Sequence, residues 1–160
     1  MAKVVEVASF PASTAYLENP LKYANSAYAL MHEVPGYHRA IHGVEVEDKE
    51  TGWALVGWES VDHHIRMSDH PNHPAILADF FQACIGTPTI AHVETDGNFK
   101  PFDHPVLQLV NIKLKNPENK DRLETLLEKI KARYAGRSTW GAVKEEAGTY
   151  KLFTGWQTVE

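Results

Sequence analysis

Cysteine is almost missing from this chain: one residue in 160, Cys84. No internal disulfide can form, and no cysteine-based zinc or iron–sulfur site. Cationic residues are in the minority, 16 Lys+Arg against 21 Asp+Glu for a net charge of −5, which argues against a nucleic-acid binder held by phosphate contacts. No apolar run approaches the roughly 18 residues of a spanning helix, and Glu6 interrupts the stretch where a signal peptide needs an unbroken apolar core. The expectation is a soluble, cytoplasmic protein with no membrane and no nucleic-acid partner. A Gly-rich phosphate loop, a dinucleotide fingerprint and a Gly-x-Ser-x-Gly elbow are all lacking, so nucleotide and flavin use have no motif to rest on. What is present is 43% apolar and 23% charged, enough burial to offset chain entropy in one compact domain or two very small ones. Histidine is abundant: nine in all, with His63, His64, His70 and His73 inside one short stretch.

Periodicity organises the chain. Residues 2–10 alternate loosely and predict a strand that stops at Pro11. Asn19-Pro20 opens a helix, with Asn19 as N-cap and Pro20 where its missing N–H costs nothing. Leu21, Ala24, Tyr28 and Met31 follow at helical spacing until Pro35-Gly36. Strands are predicted over 37–47 and 53–60, a helical stretch from Val61 to Cys84 interrupted by Pro71 and Pro74, and a fourth strand over 87–94. The order β-α-β-β-α-β is the ferredoxin-like, split βαβ arrangement of an α+β protein.

The same grammar then restarts. Val106–Lys115 is strand-like, Asn116-Pro117 repeats the helix opening, and Leu123, Leu126, Leu127, Ile130 and Tyr134 form an apolar stripe closed by Gly136. Two strands follow over 138–145 and 149–157. Gly57-Trp58-Glu59-Ser60-Val61-Asp62 is echoed by Gly155-Trp156-Gln157-Thr158-Val159-Glu160, and Gly43 meets Gly141 at the same offset of 155 − 57 = 98. A tandem repeat is expected: a complete unit over 1–98 and an incomplete copy, β-α-β-β, over 99–160. A half lacking its second helix leaves apolar sheet surface to cover. Either the chain is a fragment, or the half closes on another subunit.

Two groups of residues can carry chemistry. An imidazole near its ordinary pKa of about 6.5 exchanges protons at cellular pH. His70 and His73 are three apart, and His63 and His70 seven apart, so they share a face if local helix survives Pro71. Such a stripe can serve acid/base catalysis, hold a metal with Asp62 or Asp69, or simply be a wetted helix face; no metal is assigned. On the second strand, strict alternation puts His38, Ala40, His42, Val44 and Val46 on one largely buried side. His38 and His42 are then either ligand-binding groups or hydrogen-bonded core histidines. Trp58, Tyr28, Tyr23, Phe80 and Phe81 come from elements that flank the gap between sheet and helices, where a small-molecule pocket or ordinary packing is expected.

The densest segment, Trp58-Glu-Ser-Val-Asp-His-His-Ile-Arg-Met-Ser-Asp-His70-Pro71-Asn72-His73, resembles without a gap the stress-responsive dimeric α/β-barrel (Dabb) family. Its members include polyketide cyclases of the olivetolic acid cyclase kind. In that pattern an aromatic and Glu-Ser-Val-Glu are followed by His-Pro-Ala-His. The broader superfamily also holds antibiotic-biosynthesis and heme-degrading monooxygenases. The resemblance implies a dimeric α/β barrel, a homodimer, and a hydrophobic, aromatic or polyketide-like small molecule as partner. It places an acid/base histidine at His73, which His38, His42 or His70 would assist. Beside it, Trp58, His38, His42, Tyr28, Phe80, Phe81 and Met67 are the candidate ligand-binding residues. Met67 falls where the cyclase has a tyrosine and has no proton to give. The activity implied is cofactor-independent lyase or cyclase chemistry. The alternatives are a monooxygenase or heme protein of the same superfamily, and a non-catalytic stress or ligand-binding barrel. For heme, the relatives' first strand supplies an asparagine where this one offers Ser9.

Overall fold

The computed structural model describes residues 3–159; Ala2 of the predicted first strand and Glu160 of the predicted repeat lie outside them. The chain divides into two compact units between Ala91 and His92.

In the first unit, β1 (Val4–Pro11) leads into a short helix that sequence periodicity did not predict, α1 (Thr14–Glu18). Its signal is the cap: the Ser13 hydroxyl accepts from Tyr16 N at 3.1 Å. Asn19 caps α2 (Pro20–Met31) as expected, its Oδ1 accepting from Lys22 N at 3.2 Å. Gly36 turns the chain out of the helix with φ +79°, and a Cβ there would sit 2.3 Å from the His63 ring, so only glycine fits. β2 (Tyr37–Val44) and β3 (Thr51–Trp58) form a hairpin closed by Asp48, whose Oδ1 accepts from Glu50 N and Thr51 N. The expected interrupted helix is three pieces: α3 (Val61–Arg66), a 3₁₀ turn (Met67–Asp69) and α4 (His73–Ala83). β4 (Thr89–Glu94) follows.

The strands run β2-β3-β1, antiparallel. Four rungs of paired residues face the helices: Val4–Trp58–Tyr37, Glu6–Val56–Ala40, Ala8–Ala54–His42 and Phe10–Gly52–Val44. Val4, Val56 and Trp58 join Ala27, Met31, Val61, Met67 and Ile76 in one core cluster, and Phe10 joins Tyr16 and Ala83 in another. One irregularity corrects the alternation read from sequence. The register slips between Tyr37 and Arg39, so His38 is the extra residue of a β-bulge. It is exposed, and Tyr37 takes the inward place instead. His38 therefore does not sit on the buried face.

In the second unit, the end of β4 pairs with β6 (Ser138–Val143), and the order continues to β7 (Thr149–Trp156) and β5 (Val106–Lys113). Asn116-Pro117 opens a 3₁₀ turn rather than capping the helix, and α5 (Lys120–Arg133) begins after it. Leu123, Leu127 and Ile130 of α5 pack on Trp140, Tyr150 and Leu152. The rungs on this side are Val106–Trp156, Gln108–Thr154–Ser138, Val110–Leu152–Trp140 and Ile112–Tyr150–Ala142. Among the described residues no helix is long and apolar enough to cross a membrane.

Candidate functional site on the helix-facing sheet of the first unit

The middle of this sheet face is built from small side chains. Ala8 and Ala54 are paired and Ala40 lies one rung away on the same face, Ala40 packed against the first core cluster and Ala54 against the second. Around them stand polar and aromatic groups. His42 shares a rung with Ala8 and Ala54, and its ring lies 5.7 Å from Tyr28 of α2. Burial holds the His42 imidazole below its ordinary pKa, so it is a neutral base at pH 7. Burial, reinforced by the nearby Tyr16, Tyr37 and Glu6, pushes the Tyr28 phenol far up. Burial raises Tyr16 to about 12, with Cys84 adding to the effect, and its hydroxyl donates to Gly43 O at 3.3 Å. Tyr37 is also raised by burial, opposed by Arg39. The inner face thus offers neutral phenols as donors and a neutral imidazole as acceptor.

One rung closer to Trp58 lies Glu6, buried at 8% exposure. Its Oε2 accepts the Trp58 indole N–H at 2.8 Å and lies 3.5 Å from His64 Nε2. Trp58 itself is fully buried, stacked on His64 at 5.4 Å and met edge-on by Tyr37 at 5.9 Å. A carboxylate in such a place is expensive unless bonded, and here it is bonded. Sequence reasoning assigned Glu6 no role at this site. The available signal was its parity with Val4, Ala8 and Phe10, one charge on an otherwise apolar strand face. His64 lies in the histidine stretch, where contiguity alone does not single it out.

The predicted site residues are placed unequally. Trp58, His42 and Tyr28 gather on the inner face as described. Met67 is buried in the core cluster beside Trp58. His73 begins α4, half-buried, and Ile76, Phe80 and Ala83 follow it at helical spacing on the face packed into the two core clusters. His70 precedes the helix in extended backbone, its Nδ1 accepting from Asn72 N at 3.3 Å. His63 faces the turn at Gly36 and bonds Ser60 Oγ at 2.9 Å. His70 and His73 are therefore not joined to His63 on one helix face, because the chain between them is not helical. Phe80 meets Phe10 edge-on at 5.2 Å, inside the second core cluster. Phe81 corrects the expectation: it is 55% exposed, since adjacent helix residues point about 100° apart and Phe80 has the inward direction. His38, on the bulge, is likewise outside this group.

Among the described residues no three His, Cys, Asp or Glu side chains converge on a metal-sized site. His63, His64 and His70 are turned to Ser60, Glu6 and Asn72, and Trp58 is packed against His64. In the second unit, grooves of about 690 and 750 Å³ run along α5, lined in part by Arg122, Leu126 and Lys129 and by Glu124, Glu128 and Trp140. No predicted site residue borders them.

No known family profile matches the chain, and no curated protein matches it. Solved structures do. An inferred monooxygenase from Fusobacterium nucleatum subsp. nucleatum superposes with a TM-score of 0.71 at 11% identity, over 99% of this chain and 77% of that one. A second, from Lactobacillus acidophilus, gives 0.71 at 5% identity over 99% and 78%. An inferred antibiotic biosynthesis monooxygenase from Bordetella bronchiseptica gives 0.52 at 17% identity, over 57% of this chain and 95% of that one. At such identities the shared property is the fold. It is a ferredoxin-like α+β fold, as the resemblance of the Trp58–His73 segment implies.

Proposed function

We propose that the first unit carries a small-molecule site between its sheet and α2, α3 and α4. On this reading the protein is a cofactor-independent enzyme acting on a hydrophobic, aromatic substrate. One observation supports it above all: the alanine floor of Ala8, Ala40 and Ala54, ringed by Tyr28, His42 and Trp58. Protein cores are packed to near-crystalline density, so a patch of small residues under polar donors suits an apolar ligand with few polar groups. Neutral His42 takes a proton from an acidic hydroxyl or activated carbon, and the Tyr28 phenol steadies the resulting oxyanion. The acid/base role first given to His73 passes to His42 in this reading, with His73 and His70 at the N-terminal end of α4 as entrance residues.

The monooxygenase reading is favoured by a separate observation, the names carried by structures that share the fold. Both chemistries begin with the same deprotonation. In oxygenation the carbanion would react with dioxygen, one oxygen atom entering the product as a carbonyl and the other leaving as water (CH₂ + O₂ → C=O + H₂O). In lyase or cyclase chemistry it would attack a carbonyl within the same molecule. Incubating the protein with a panel of phenolic and polyketide-like aromatics, with and without oxygen, separates them. Turnover that requires oxygen and consumes it one-for-one assigns the oxygenase; turnover under argon assigns the cyclase. In either case His42→Gln lowers kcat by roughly 10²–10⁴. A His42→Gln protein with undiminished turnover overturns the assignment of the base, and ligand retention without turnover leaves a binding barrel. The homodimer implied by the resemblance belongs to the same proposal, and sedimentation equilibrium tests it.

A further inference from the structure

One carboxylate oxygen ties together three elements of the first unit. Glu6 Oε2, on β1, accepts the N–H of Trp58 on β3 and faces His64 Nε2 on α3 at 3.5 Å. The imidazole lies nearly parallel to the indole, at an interplanar angle of 19°. The His64 and Glu6 side chains keep only 16% and 11% of their exposure.

The second unit performs part of this task differently. Trp156 Nε1–H donates to Gln108 Oε1 at 3.2 Å, and Gln108 stands two residues into β5 from Val106 as Glu6 stands two into β1 from Val4. The cation over that indole is Arg137, 5.9 Å from the ring. An amide is therefore enough to hold the indole. What the carboxylate adds is charge, and the group beside it that can answer a charge is His64.

We propose that Glu6 is a positioning residue that keeps His64 as an imidazolium stacked on Trp58, a cation on the indole face that can be switched off where Arg137 on Trp156 cannot. The pair holds the Trp58 wall at and below neutral pH through ion pairing and cation–π attraction together. Once the proton leaves His64, the ion pair and the cation–π attraction are lost, while the indole hydrogen bond to Glu6 and the Tyr37 edge contact stay. Among the described residues, the other titratable groups around this contact are paired elsewhere, exposed or neutral. Glu59 on β3 is met by His63 at 3.9 Å, Asp62 and Arg66 of α3 and Asp69 of the following turn are exposed, and Tyr28 of α2 is a neutral phenol. The consequence for catalysis rests on the site reading above; the ion pair does not.

The experiment is a pH titration of the free protein, following the indole Nε1–H resonance of Trp58 by NMR, assigned with Trp58→Phe. The wild-type resonance is expected to move through a single transition between about pH 5 and 8. In Glu6→Gln the resonance stays protected, as the Gln108 amide would predict, while the transition moves down by about one pH unit. In His64→Gln it vanishes. A transition left in place by Glu6→Gln, or surviving His64→Gln, overturns the proposal. If Glu6→Gln fails to fold, His64→Gln alone decides. Where the transition behaves as expected, substrate KM should rise with pH at the same midpoint in wild type and stay flat in His64→Gln. A flat wild-type KM beside a moving resonance would refute the substrate site and leave the ion pair standing.

Discussion

Two rungs, one in each unit, occupy corresponding places on their sheets and are filled in opposite ways. In the first unit the third rung is Ala8–Ala54–His42; in the second it is Val110–Leu152–Trp140. The rung before each is also matched in place and changed in chemistry, Glu6–Val56–Ala40 against Gln108–Thr154–Ser138. The second unit does what a sheet covered by one helix must do: it puts Leu152 and Trp140 under Leu127 of α5 and closes the space. The first has more helix to cover it and spends less side-chain volume beneath. On the site reading proposed above, small residues there, with ionisable groups around them, give up packing that the second unit keeps. Such a sacrifice is expected at functional sites.

The two tryptophans give the largest test of that contrast. Trp58 is fully buried and Trp156 is not, though both donate to the residue two along the first strand of their unit. Trp58→Ala should cost about 3–5 kcal/mol in urea unfolding, while Trp156→Ala should cost about 1 kcal/mol or less. Equal losses would mean that the two indoles play one structural role and that the first unit has no special interior.

The rungs themselves come next. Leu152→Ala removes a buried side chain, with an expected loss of about 2–5 kcal/mol. Its mirror, Ala54→Leu, places in the first unit the residue the second already has. Where space lies above the alanines, this change costs under about 1.5 kcal/mol and still cuts turnover or ligand binding at least about 100-fold. Where the space is already filled, overpacking costs more, about 1–3 kcal/mol, and the site reading loses its floor. Paired measurements of stability and binding on Ala54→Leu distinguish these outcomes.

Much of this was open to reading from the residues alone, and the failures have physical causes. Element order, the Asn19 cap and the strands of both units follow from periodicity and turn chemistry. Trp58, Tyr28 and His42 were picked out because aromatic and titratable residues on apolar faces stand out. The bulge at His38 did not, because one inserted residue reverses the parity of everything before it without altering composition. Glu6 drew notice only as a charge in an N-terminal run, since its partners, Trp58 and His64, are 52 and 58 positions away. Ala8 and Ala54 were invisible for a different reason. An alanine in a strand says nothing until the register shows which residues stand beside it. The histidine stretch attracted weight by being contiguous, yet sequence neighbours such as His63 and His64 point to different partners.

The smallest expected effect concerns the one titratable member of the third rung. Burial lowers the His42 pKa in the folded protein, whereas the unfolded chain titrates near 6.5. Between those two values the unfolded chain binds more protons, so stability rises with pH there. As pH falls through about 6.5 toward the folded value, the His42 contribution turns against folding; above about 7 it contributes nothing. His42→Gln should flatten this part of the stability profile, and the wild-type minus variant difference isolates it from the other histidines. Trp140, at the matching place in the second unit, cannot titrate, so Trp140→Phe should leave the slope unchanged. A slope that survives His42→Gln would place the titrating group elsewhere, and with it the neutral base on which the proposed chemistry depends.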